Sequence, residues 1–248
     1  MSPGRAPCPP GIYLHTGTQK HILETIMDAK NPIAKTALSI YCLLFFALWT
    51  LMELLVFPMI SDALGTWPDA VICNIIKLLI WTAPAAFLIR RYSLDLYISP
   101  VITFSRKGSL LCIIIAAAFF LYHLTVCYVM YGQISYVNLS AHSLLGPVLL
   151  VGITEETVFR GWLLNAFLAK MNPLTAVLIN AVLFLLIHFP IWITKGLFQV
   201  NPAVFIVNCA SIMLLSIIFS LSFMKSKSIV IPIILHMCWN LFNMIFIG

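Results

Sequence analysis

The chain has 248 residues, 62% of them hydrophobic and 9% charged, with a formal charge of +6 and a mean hydropathy of +1.04. About a quarter of an ordinary soluble domain is charged, so these residues cannot build a water-facing surface, and the chain is an integral membrane protein. The positive residues lie between apolar runs rather than in a patch interleaved with aromatics, which excludes a nucleic-acid-binding surface.

Residues 1–35 are polar, contain Pro3, Pro9, Pro10 and Pro32, and lack the apolar core of a cleavable signal peptide. They read as a cytoplasmic N-terminal arm, and residues 36–248 as one membrane domain. Apolar windows long enough to cross a bilayer predict seven helices, over about 36–57, 69–89, 108–131, 143–168, 174–194, 203–223 and 229–247. The fold class is all-α, a polytopic transmembrane helix bundle, because an open sheet would leave unpaired backbone groups in lipid and no alternating barrel strands occur. Pro58, Pro68, Pro100, Pro173 and Pro202 punctuate the connections. An eighth span within 134–150 is the alternative count. With the N-terminus in the cytoplasm, Arg5, Lys20, Lys30, Lys35, Arg90, Arg91, Arg106, Lys107, Lys170, Lys225 and Lys227 fall inside, and Lys195 falls outside. That asymmetry obeys the positive-inside rule and favours the odd count. The layout is that of a multi-pass cell-membrane protein, and its short loops resemble a prokaryotic inner-membrane one.

An ionisable side chain within a span is costly unless it faces a partner or a polar cavity. In the first span Glu53, and in the third His123, fall near span ends, where they can reach the interface. The second span carries Lys77 at greater depth, placed to neutralise a carboxylate. The fourth holds the densest group, Gly152 to Gly161, with Glu155, Glu156 and Arg160. Glu156 and Arg160 are four apart and share a helix face, whereas Glu155 points about 100° away. A structural ion pair accounts for Glu156 and Arg160 and leaves Glu155 for other work. In the fifth span Phe184 and His188 are four apart, as are His236 and Asn240 in the seventh. Counted from the cytoplasmic helix ends at 1.5 Å per residue, Glu155 lies roughly 20 Å deep, His188 about 21 Å, Asn240 about 17 Å and His236 about 11 Å. To within the error of the helix ends, these four side chains converge on one intramembrane site.

The run Glu155, Glu156, two residues, Phe159, Arg160, Gly161 resembles the EExxFRG motif of the CAAX prenyl protease and bacteriocin-processing (CPBP, or Abi) family of intramembrane proteases. Phe184 to His188 is similar to that family's FxxxH, and His236 to Asn240 to its HxxxN, in the family's order and each in its own expected helix. The resemblance covers about residues 140–248, with the motifs within 143–248, and implies that 36–248 is a transmembrane protease domain. It implies a glutamate-dependent endopeptidase acting on a hydrophobic or lipid-modified peptide. Two role classes go with it, CAAX-tail trimming or peptide maturation with self-immunity, and membrane lipids are its surroundings.

Peptide hydrolysis needs an activated water, oxyanion stabilisation and a proton for the leaving amine. Glu155 is the expected general base and His188 the group that orients or helps deprotonate the same water. His236 and Asn240 are the expected oxyanion donors, with Glu156 and Arg160 holding the helix in register behind them. No cofactor is expected; the alternative is Zn²⁺ on Glu155, His188 and His236, which two histidines and a carboxylate would suit, against which stand the absence of HExxH and the poor ligand quality of Asn. Readings from other classes are a proton-coupled transporter using Glu155, Glu156, Lys77 and the histidines as a relay, and a catalytically silent immunity or scaffold protein.

Overall fold

The computed structural model describes residues 32–64, 66–93, 95–99, 102–199 and 201–246. The arm expected over 1–35 lies outside them, apart from residues 32–35, which open the first helix. Among the described residues the chain is all-α, with seven helices: α1 (32–64), α2 (66–91), α3 (Arg106–Tyr131), α4 (141–168), α5 (Pro173–Thr194), α6 (Pro202–Ser226) and α7 (Val230–Phe246). Thr36–Ala63 within α1, Ile72–Arg91 within α2, and α3, α5 and α6 are long and apolar enough to cross a membrane. The shorter α7 is apolar, and α4 carries Glu155, Glu156 and Arg160. Residues 134–140 are non-helical and 141–168 form one helix, so no eighth span forms there.

Asn and Ser side chains set the helix starts. Ser105, Ser140, Asn172 and Asn201 each accept a backbone N–H from the first turn of α3, α4, α5 and α6, and Pro173 and Pro202 occupy the first helical position, where a missing N–H costs nothing. Gly132 closes α3 at φ 70°, the left-handed conformation that glycine adopts without a Cβ penalty. One expectation changes at Pro58, which does not end the first helix. The turn before it widens over Met52–Val56, with the Phe57 N–H bonding back to Met52 O, and the helix runs on to residue 64. A wide turn of this kind absorbs the missing N–H and the ring clash that proline brings. The same device precedes Pro84 over Leu78–Thr82 and surrounds Pro147 over Leu144–Leu150. A fourth wide turn, Thr157–Leu164, contains no proline and follows directly on Glu156.

The helix α4 is the axis of the bundle. Val158, Phe159, Arg160, Trp162, Leu163 and Leu164 are all essentially inaccessible, so this turn is covered all round, as only an innermost helix can be. Phe45, Trp49 and Trp81 from α1 and α2 pack against it with Phe184 from α5. The outer helices instead turn apolar side chains outward, among them Leu43, Ile113, Leu174 and Ile206, where lipid solvates them at no cost. At one end of the bundle the α2–α3 connection is fastened to α4. Asn165 is fully buried, its Oδ1 accepts the Ile98 N–H at 2.7 Å, and its Nδ2 donates to Ile98 O. Lys227, just past α6, sits over the Tyr97 ring of the same connection, so the basic ends of α2, α3 and α6 gather at one face.

Replacing Asn165 with Ala removes both partners of the buried Ile98 amide and should lower stability by about 2–3 kcal/mol. Thermal unfolding of the purified protein in detergent measures this, and an unchanged midpoint would show that the loop needs no such anchor.

Candidate active site

The two adjacent carboxylates of α4 meet different surroundings. Glu156 is fully buried, and its Oε1 accepts from Arg160 Nη1 at 3.0 Å and from His236 Nδ1 at 2.8 Å. Arg160, also fully buried, donates from Nη2 to Ser216 O at 2.9 Å and to Ser216 Oγ at 2.8 Å on α6. Its guanidinium lies over the rings of Phe184 and Phe219, 4.7 and 5.3 Å from their centroids. The spacing of four between Glu156 and Arg160 therefore produces the expected intrahelical pair, and the planar fork extends it to α5 and α6, which a lysine ammonium could not do.

Glu155 faces elsewhere. Its Oε2 lies 3.9 Å from His236 Nε2, and its side chain keeps 13% of its surface exposed, against none for Glu156. His236 thus stands between the carboxylates, with Nδ1 on Glu156 and Nε2 toward Glu155. A carboxylate oxygen accepts, so Nδ1 carries the proton and Nε2 is the edge left for chemistry. The ring is stacked on Phe219 at 5.1 Å and 20°, which fixes its plane. Glu155 and His236 thus meet, although the counted depth of His236 is the smaller, and the α6–α7 connection is buried at Ser228 and Ile229.

His188 sits at the one-residue interruption of α5 at Ile187, just before Pro190, which cannot donate to the preceding turn. Its Nδ1 lies 2.8 Å from Phe184 O; a carbonyl only accepts, so in the neutral ring Nε2 presents a lone pair. The interruption is pinned from outside by Trp49, whose Nε1 donates to Ile187 O at 2.7 Å. The Phe184 ring bridges the two histidines, 5.3 Å from His188 and 6.1 Å from His236, and Glu155, His236 and Lys77 all lie within electrostatic reach of His188. Asn240, one turn beyond His236, donates from Nδ2 to Pro147 O at 2.8 Å, tying α7 to the wide turn of α4. That bond engages one of its two amide N–H groups.

Glu155, Glu156, Arg160 and His236 are therefore brought into one connected group, with His188 across Phe184 and Asn240 on the α4 backbone. Two expectations are corrected. Glu53 does not reach the interface: it is 7% exposed and lies 3.9 Å from Lys77 Nζ, because Trp49 and Phe57 close over the pair. His123 is fully buried, with Nδ1 on Phe119 O and Trp239 and Phe242 against its ring, since α7 packs along that face of α3. Sequence reasoning missed Ser216, Phe219 and Trp49. Ser216 and Ser220 at a spacing of four within an apolar span were the available signal for the first; nothing in the local sequence marked the rings. Among the described residues no three His, Cys, Asp or Glu side chains come together closely enough to hold a metal ion. The set Glu155, His188 and His236 is not gathered as a ligand shell, and His188 Nε2 and His236 Nε2 are the nitrogens such a shell would use.

Residues 137–242 match the family model described as Type II CAAX prenyl endopeptidase Rce1-like. The matched segment includes Glu155, Glu156, Arg160, His188, His236 and Asn240 and leaves α1 to α3 outside. No curated protein and no solved structure matches the chain.

Replacing Arg160 with Met should cost roughly 3–5 kcal/mol, because Glu156 would remain buried without its guanidinium. Chemical unfolding in detergent tests it. A variant as stable as the parent would mean that Glu156 is held by His236 alone.

Proposed function

We propose that Glu155 activates a water for hydrolysis of a peptide bond within the membrane, a reading supported by the match of residues 137–242 to the Rce1-like type II CAAX prenyl endopeptidase model. The observation that carries this reading is the division of labour between neighbours. Glu156 is saturated on one oxygen by Arg160 and His236, while Glu155 keeps exposed surface beside His236 Nε2. A base must reach a reacting proton, and Glu155 is the carboxylate with room to do so.

In the proposed step Glu155 takes a proton from the water as its oxygen bonds to the scissile carbonyl carbon. His188 Nε2 accepts the second water hydrogen bond and aims the lone pair. With Glu156 accepting at Nδ1, the His236 ring can hold a second proton on Nε2, and that N–H donates to the oxyanion together with the remaining amide N–H of Asn240. As the tetrahedral intermediate collapses the C–N bond breaks, and the proton held by Glu155 passes to the leaving amine, which returns the carboxylate. Glu156 and Arg160 touch no reacting atom; they orient His236 and anchor α4 between α5, α6 and α7. No step is routed through a metal. The substrate is a peptide bearing a lipid or apolar segment, and the basic end of the bundle faces the cytoplasm by the positive-inside rule.

Glu155→Gln and His188→Ala should each abolish cleavage of a prenylated C-terminal peptide by the purified protein while leaving the unfolding midpoint near that of the parent. Cleavage retained by either well-folded variant would sink the assignment. Pre-incubation with a zinc chelator should leave the rate unchanged; a loss restored by added Zn²⁺ would replace the water-activating pair with a metal.

A further inference from the structure

Two cations lie inside the described helices away from their ends, Arg160 and Lys77. Arg160 is sealed, with no exposed surface and with donors committed to Glu156 and Ser216. Lys77 differs on each count. Its side chain is 21% exposed, its ammonium lies over the Trp49 and Phe57 rings at 4.8 and 5.9 Å, and Glu53 Oε1 is 3.9 Å away. At that distance one carboxylate does not use up the three donors of an ammonium. The platform beneath Lys77 belongs to the site: the Trp49 indole donates to Ile187 O, immediately before His188. A partly exposed lysine therefore stands, through Trp49, beside the backbone that leads into His188, on a helix outside the matched 137–242 segment.

If the substrate is of the CAAX type named by the matching family model, three residues follow the prenylated cysteine and the last ends in a free α-carboxylate, so a cut after that cysteine lies three residues from the chain end. Extended, three residues span about 10 Å, so the carboxylate enters the membrane interior together with the scissile bond. An ion there is costly unless a partner meets it. We infer that Lys77 receives the C-terminal carboxylate of the peptide substrate, on the Trp49 platform, and that Glu53 holds the ammonium in place and competes for it until substrate arrives. The inference rests on the endopeptidase reading above. It makes Lys77 a specificity-determining residue that sets how far from the chain end the peptide is cut, and explains why α1 and α2 supply an ion pair beside a site built by α4, α5 and α7.

The test uses the full chain in detergent with two prenylated peptides, identical except that one ends in a free carboxylate and the other in a carboxamide. The parent should favour the acid through KM by about tenfold or more, the scale of a charge-assisted contact. Lys77→Met should bring the two KM values within about twofold of each other, Lys77→Arg should keep the preference, and Glu53→Gln should sharpen it by removing the competitor. A parent that cleaves both peptides with equal KM, a Lys77→Met protein that still prefers the acid, or a Glu53→Gln protein with an unaltered preference would each overturn the inference. If the folded parent cleaves neither peptide, the endopeptidase reading fails and takes this inference with it.

Discussion

Everything in this structure turns on one buried ion pair. Glu156 and Arg160 are both fully inaccessible, in the turn of α4 that the rest of the bundle encloses. Such a pair is a weak source of stability in itself, because desolvating two charges offsets much of their attraction. Its effect is constraint. Once inside, the guanidinium must spend its remaining donors, and it does so on Ser216 of α6, while its faces rest on Phe184 of α5 and Phe219 of α6. The carboxylate takes His236 of α7 as well. Four helices are thereby held in a single register, and that register stands His236 between two adjacent carboxylates.

The consequence for chemistry is asymmetry between neighbours of the same type. Glu156 is held by its partners, and Glu155, one residue earlier, is turned toward His236 Nε2 with surface to spare. Proline supplies a second asymmetry. Pro190 follows an interruption of α5 at Ile187, immediately before His188, and Pro147 sits in the wide turn of α4 whose carbonyl Asn240 caps. Each irregularity lies beside a side chain of the site, and each is fastened by a donor from another helix, Trp49 in one case and Asn240 in the other. Non-helical backbone at membrane depth is tolerated where protein buries and satisfies it.

Much of this was legible in the sequence, for identifiable reasons. Helix positions follow from apolar windows, since lipid imposes nearly the same length on every span. The spacing of four fixes the Glu156–Arg160 pair before any tertiary contact is known. The fate of Pro58 was not legible: a proline that elsewhere ends a helix is here absorbed by a wide turn, which depends on how the surrounding helices pack. Depth counting could bring His236 toward Glu155 only to within the error of the helix ends, because it takes every helix to start at the same level; the 3.9 Å approach depends on how α7 packs on α4. Glu53 and His123 were misjudged because nearness to a span end says nothing of which neighbour covers the side chain; Trp49 and Phe57 cover one, and Trp239 and Phe242 the other. The Ser216 anchor lies 56 residues from Arg160 in the chain, beyond what local spacing can reveal.

The central claim is that Glu155 delivers a water rather than attacking the peptide itself, and a single turnover in ¹⁸O-labelled water tests it most directly. If Glu155 is a general base, the new carboxylate of the first product carries one ¹⁸O from solvent. A first product with only ¹⁶O would mean that the oxygen came from the protein, making the glutamate a nucleophile and contradicting the account.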